Sequence, residues 1–324
     1  MKNNTNTNDK LKNMPISLFS IVMGMIGLAI AWKKAHINLG APSELWVSIA
    51  GLGSLFFIII AFFYLLKFIK YKEEVFSEWN NPIKINFFPT ISISLLLQSA
   101  VWMEDFHSLS YILWISGTII QFGFSLAIMS SWINHSHYEI KHLKPVWFIP
   151  IAGNLLVPIA GIHFAPLEVS WFFFSVGLVF WFLLLAMLFY RLFFHDPLSP
   201  KLLPTMLILL APPAIAFVSY IGMTQTLDNF SRIIYYFGLF MTILLAFNVS
   251  KFVKNKFYLS SWAYSFPIAA MSIATFVMAN KSGLYLFNWL AVSMLVVVSS
   301  IVAILIIKTL IAIRYREICQ AEYK

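Results

Sequence analysis

Charge is what this chain has least of. Lys, Arg, Asp and Glu make up 11% of its 324 residues, where a soluble domain carries about a quarter. A water-soluble fold is excluded, and a protein that crosses the membrane many times remains. Cysteine is almost missing: the lone Cys319 rules out a disulfide within the chain. There is no glycine-rich phosphate loop, no HExxH and no Cys/His cluster. The serines have no histidine or carboxylate near them at mid-membrane to act as a base, so no enzymatic activity, cofactor or metal is expected. His135, His137 and His142 match no firm ligand spacing and read as a solvated loop. No small-residue cleavage site follows a short apolar run near the start, so no removable signal peptide is expected.

Charge is also absent from particular places. The 13 acidic residues fall in tails, loops or at span ends, and no Lys or Arg stands mid-span. A buried titratable relay is therefore not expected, and the interior reads as a neutral conduit of hydroxyls, amides and exposed backbone. Of the 22 Lys and Arg, all but Lys33, Lys34, Arg232 and Lys281 fall on the side that bears both termini. The positive-inside rule then puts the N- and C-termini in the cytoplasm. The net charge of +9 marks topology, and no basic face for nucleic acid is expected.

What is there is apolar, at 60% of the chain. Ten spans are expected: 14–31, 46–69, 86–103, 111–132, 146–163, 169–190, 203–224, 232–250, 258–279 and 284–307. The stretch from Tyr258 to Asn280 carries Phe266-Pro267, and a proline there leaves the carbonyl of Ala263 without its usual donor. Four more spans carry a proline near their start: Pro15, Pro89, Pro150 and the pair Pro212-Pro213, with Pro158 further along the fifth span. Proline-bearing spans alternate with plain ones. Five kinked helices gathered inside five straight ones is the arrangement this predicts.

The proline-bearing spans also hold the polar candidates. Ser17, Ser20 and Gly24 share one helical face; Thr90, Ser94 and Gln98 follow one another at four-residue spacing. Asn154, Ser219, Ser265 and Ser272 complete the set of candidate lining residues. Small and hydroxylated residues serve helix packing as readily as a pore wall, and both readings stay open.

The five proline-bearing stretches, above all Trp262-Ala263-Tyr264-Ser265-Phe266-Pro267, and the MPISLFSIVMG opening resemble the tellurite-resistance/dicarboxylate transporter family, which includes the plant guard-cell slow anion channels. The resemblance runs from about Met14 to Arg314. It implies an all-α polytopic membrane protein, with ten transmembrane helices as five hairpins around a quasi-fivefold pore, odd-numbered helices inside and even-numbered outside. It implies a homotrimer in which each protomer has its own pore, occluded by Phe266. Small inorganic anions such as chloride and nitrate would pass, ranked mainly by dehydration energy, with a contribution to potassium tellurite resistance. The chain would then be one channel domain, 1–324, in the lipid of the bacterial inner membrane, with short cytoplasmic tails 1–13 and 308–324. The alternative within the resemblance is a proton-linked exporter of a dicarboxylate, sulfite or tellurium oxyanion, coupled through water or through an acid at a helix end such as Glu168.

Overall fold

The computed structural model describes residues 10–134, 138–315 and 317–320, so His135 and His137 lie outside the described residues. Among the described residues every regular element is helical. Ten spans are long and apolar enough to cross a membrane: α1 Ile16–Leu39, α2 Ser43–Lys70, α3 Lys84–Trp102, α4 His107–Asn134, α5 Pro145–Phe164, α6 Leu167–Phe194, α7 Pro200–Thr224, α8 Asn229–Phe247, α9 Leu259–Ser282 and α10 Tyr285–Arg314.

Burial divides them cleanly. The apolar stretch of each odd-numbered span is 72–89% buried, and that of each even-numbered span 22–39%. Composition explains the division. Even spans carry Ile, Leu and Phe around the whole helix, whereas odd spans carry Gly, Ala, Ser and Pro, which let backbones approach closely. Each odd span packs against the even span that follows it, giving five hairpins. The odd spans also touch in a closed cycle: α1 on α3, α3 on α5, α5 on α7, α7 on α9, and α9 back on α1. Gly40 and Gly283, both at φ +70°, end α1 and α9 in the left-handed conformation that turns each chain into its even partner.

The prolines do something other than kink a continuous α-helix. Every odd span begins as a 3₁₀ segment: Ile16–Leu18, Lys84–Phe87, Pro145–Trp147, Pro200–Leu210 and Leu259–Tyr264. The α-helix starts after it, and Pro89, Pro150, Pro212, Pro213 and Pro267 stand at its N-cap or in its first turn, while Pro15 caps the 3₁₀ turn of α1. A first-turn N–H has no partner within the α-helix, so proline costs little there. The expected kinks are thus changes of helix type. Of these residues only Pro158 lies inside an α-helix.

Two boundaries move with consequence. α1 runs to Leu39 instead of stopping near residue 31, because Lys33 finds partners: its Nζ donates to the Val101 carbonyl at 3.0 Å and lies 3.0 Å from Glu104 and 3.6 Å from Asp105. α10 runs to Arg314, so 308–324 is not wholly a tail. On the side bearing the termini, buried Lys67 of α2 donates to the Met14 carbonyl at 2.7 Å and pairs with Glu78 at 3.1 Å. The Tyr64 hydroxyl donates to the same carboxylate at 2.8 Å. These bonds fasten the start of α1 to α2 and to the short helix Lys72–Trp79.

Candidate functional site: two cavities that meet at Phe266

Two cavities lie within the ring of odd spans. The wide one, about 710 Å³, faces the side away from the termini. The narrow one, about 40 Å³, faces the termini. All five odd spans contribute to each, and His107 is the only even-span residue in either wall. Leu156 of α5, Ile215 of α7 and Phe266 of α9 belong to both walls. The ring of Phe266 is 6% exposed.

The narrow cavity is lined by the first α-helical turn of every odd span, through Ser20, Thr90, Ile149, Ala211 and Phe266. The junctions of 3₁₀ and α-helical backbone in all five odd spans therefore face one small apolar space with no fixed charge in its wall. The N–H groups of Phe19, Phe148, Ala211 and Ser265, which open four of the α-helices, are bonded to carbonyls of the preceding 3₁₀ turns. Proline removes others, so few donors are left to hold an anion.

The hydroxyls in this wall offer an anion little. Ser20 Oγ donates to the Ser17 carbonyl at 2.6 Å, and Thr90 Oγ1 donates to the carbonyl of Phe87. A hydroxyl has one proton, and one already given to the backbone leaves only lone pairs to face the cavity.

None of the other candidates is among the residues that line the two cavities. Ser17 stands in the 3₁₀ turn of α1, its carbonyl taken by Ser20. Gly24 admits Ser265: a Cβ at position 24 would come within 2.1 Å of the Ser265 Oγ. Ser265 and Ser94 donate to carbonyls of their own helices, at Trp262 and Thr90. Ser219 bonds the Leu155 carbonyl on α5 at 2.6 Å, and Ser272 bonds the Ala291 carbonyl on α10 at 3.0 Å. Gln98 is buried, and its amide nitrogen has no partner among the described residues. Asn154 donates to Ser125 Oγ at 2.9 Å and to the Pro150 carbonyl at 3.1 Å. Gln121, from an outer span, also donates to the Pro150 carbonyl, at 2.7 Å, and lies where Gly153 has no side chain.

Sequence reasoning missed Leu156 and Ile215, because one apolar side chain in an apolar helix carries no signal. It also missed the charge of the wide cavity, whose wall holds Lys33, Lys34, Lys281 and Glu104. The neutral interior expected throughout is a property of the narrow cavity alone. Lys33 is occupied by Glu104, Asp105 and the face of Trp46, 4.6 Å away. Lys281 bonds the Gln225 carbonyl at 2.9 Å. The Lys34 ammonium makes no ion pair or hydrogen bond among the described residues.

Known proteins share this chain's pattern. The family described as SLAC1, voltage-dependent anion channel, matches residues 13–310. The S-type anion channel SLAH3 of Arabidopsis thaliana is 29% identical, over 94% of this chain and 50% of its own length. The uncharacterized transporter MJ0576 of Methanocaldococcus jannaschii is 28% identical, over 81% of this chain and 82% of its own. The tellurite resistance protein TehA homolog of Haemophilus influenzae is 25% identical, over 80% of this chain and 79% of its own. This chain thus spans half the length of the plant channel and about four fifths of the other two. With the match running through all ten spans, the chain belongs to the SLAC1 family of anion channels and transporters.

Proposed function

We propose that this protein is an anion channel whose path runs through the narrow cavity, past Phe266, and out through the wide cavity. The observation that carries the reading is that Phe266 stands in both cavity walls, joined there only by Leu156 and Ile215. A phenyl ring cannot replace the water around an ion, so it blocks by volume and by desolvation. With the ring displaced, an anion meets an uncharged, apolar wall poor in donors. It is held weakly and must shed water, so anions that dehydrate easily, nitrate before chloride, pass best. Lys34 and Lys281 raise the local concentration of anions in the wide cavity.

The same reading takes the termini as cytoplasmic, from the distribution of Lys and Arg. It places the protein in a bacterial inner membrane, with the apolar outer faces of the even spans against lipid or the neighbours of a homotrimer. A contribution to tellurite resistance follows the name carried by the Haemophilus relative.

The test is current across a planar bilayer holding the purified protein or its Phe266→Ala variant, under an anion gradient and then a proton gradient. A nearly silent wild type and a conducting variant whose reversal potential follows the anion are expected. Proton-driven anion flux in the wild type, with no current from either form, would replace the channel by a proton-linked exporter. Molar mass in detergent tests the trimer, and a monomer at all concentrations would remove it.

A further inference from the structure

At the terminus-bearing ends of α4, α5 and α6, several buried N–H groups lack a partner among the described residues. Arg191, in the last turn of α6, is 3% exposed, and neither its Nε nor its Nη1 has a hydrogen-bond partner. No carboxylate pairs with it among the described residues. Trp132, in the last turn of α4, stacks on Trp147, in the 3₁₀ turn that opens α5, with centroids 4.5 Å apart and planes 9° from parallel. Both indole N–H groups are buried without an acceptor among the described residues. Lys144 stands three residues before Trp147, its ammonium pKa pushed down first by burial and then by the charge of Arg191.

Arginine and indole can only donate, and a guanidinium does not escape burial by losing its proton. Among the described residues, the partner that Arg191 lacks is therefore an acceptor, and a negatively charged one. Its level in the membrane narrows the choice. Tyr190, Phe193 and Phe194 are exposed around the same helix end, the aromatic girdle of a membrane–water boundary, where lipid phosphates lie. We propose that this corner binds a phosphate group, with Arg191 as its principal ligand and Lys144 beside it. An anionic phospholipid headgroup and free inorganic phosphate both present this chemistry. No part of this proposal rests on the pore.

The experiment is the melting temperature of the purified full chain in detergent, with two arms. One compares added phosphatidylglycerol with phosphatidylcholine; the other compares inorganic phosphate with chloride at equal ionic strength. Stabilisation in the first arm alone identifies the headgroup, and stabilisation in the second identifies free phosphate. In either case Arg191→Gln weakens the apparent affinity by about tenfold or more, the worth of a charge-assisted hydrogen bond. Lys144→Gln, at a part-buried site outside the spans, weakens it about threefold and carries the test if the arginine variant does not fold. No preferential stabilisation of the wild type in either arm, or a shift that both variants keep, overturns the proposal.

Discussion

The ring of Phe266 occupies the space that a side chain at position 27 would need: a Cβ on Gly27 would lie 2.9 Å from the Phe266 Cδ2. The ring, which lines both cavities, is thus seated against bare backbone of α1.

Substituting Gly27→Ala overpacks this seat, and a destabilisation of about 1–3 kcal/mol is expected. The Cβ of Ala269, at 3.3 Å, crowds the same position far less. In a Phe266→Ala background the added methyl meets an open space, and the penalty should fall by more than half. Thermal unfolding of the four proteins of this cycle measures the coupling; equal penalties in both backgrounds would show that the ring does not rest on Gly27.

Lys34→Gln in the conducting Phe266→Ala protein should lower anion current by about twofold at low salt, the size of a unit charge acting over several ångströms of water. The effect should shrink as salt rises, because mobile ions screen a vestibule charge. Currents measured over a salt series decide it. A loss that ignores ionic strength would mean that Lys34 shapes the wall instead of attracting ions.

Glu78→Gln strands Lys67 in a buried setting with the Met14 carbonyl and Tyr64 hydroxyl for company. Breaking a buried ion pair from one side costs about 3–5 kcal/mol. The double variant Lys67→Met, Glu78→Leu should recover part of that loss, since no charge is left behind, although the Tyr64 hydroxyl and the Met14 carbonyl lose their partners. Denaturation of the single and double variants reads this directly, and a double variant no better than the single would show that the pair does not act as a unit.

The alternation of proline-bearing and plain spans was legible because buried and lipid-facing helices differ in composition. Odd spans need small residues for close approach, and even spans need only apolar bulk. The 3₁₀ segments were not legible, since proline at Pro267 is as compatible with a kink as with a junction, and packing among five helix ends decides between them. Ser94, Ser219, Ser265 and Ser272 read equally as lining or as packing, because a hydroxyl in hydrocarbon needs a carbonyl, and the carbonyls they bond belong to helices. The charged vestibule had a signal that went unused. Of the four cations on the side away from the termini, Lys33, Lys34 and Lys281 all close inner helices, where they line the same cavity.

The central claim is that, of the three side chains shared by both cavity walls, the ring of Phe266 closes the proposed path. Bilayer conductance measured for Phe266 and for its Leu, Val, Ala and Gly variants tests it most directly, with each variant shown to be folded, since loss of a buried ring costs about 3–5 kcal/mol. Conductance that rises steadily as the side chain shrinks is the predicted result. Conductance that stays at the wild-type level through Gly would contradict it and return Phe266 to the packing of α9 against α1.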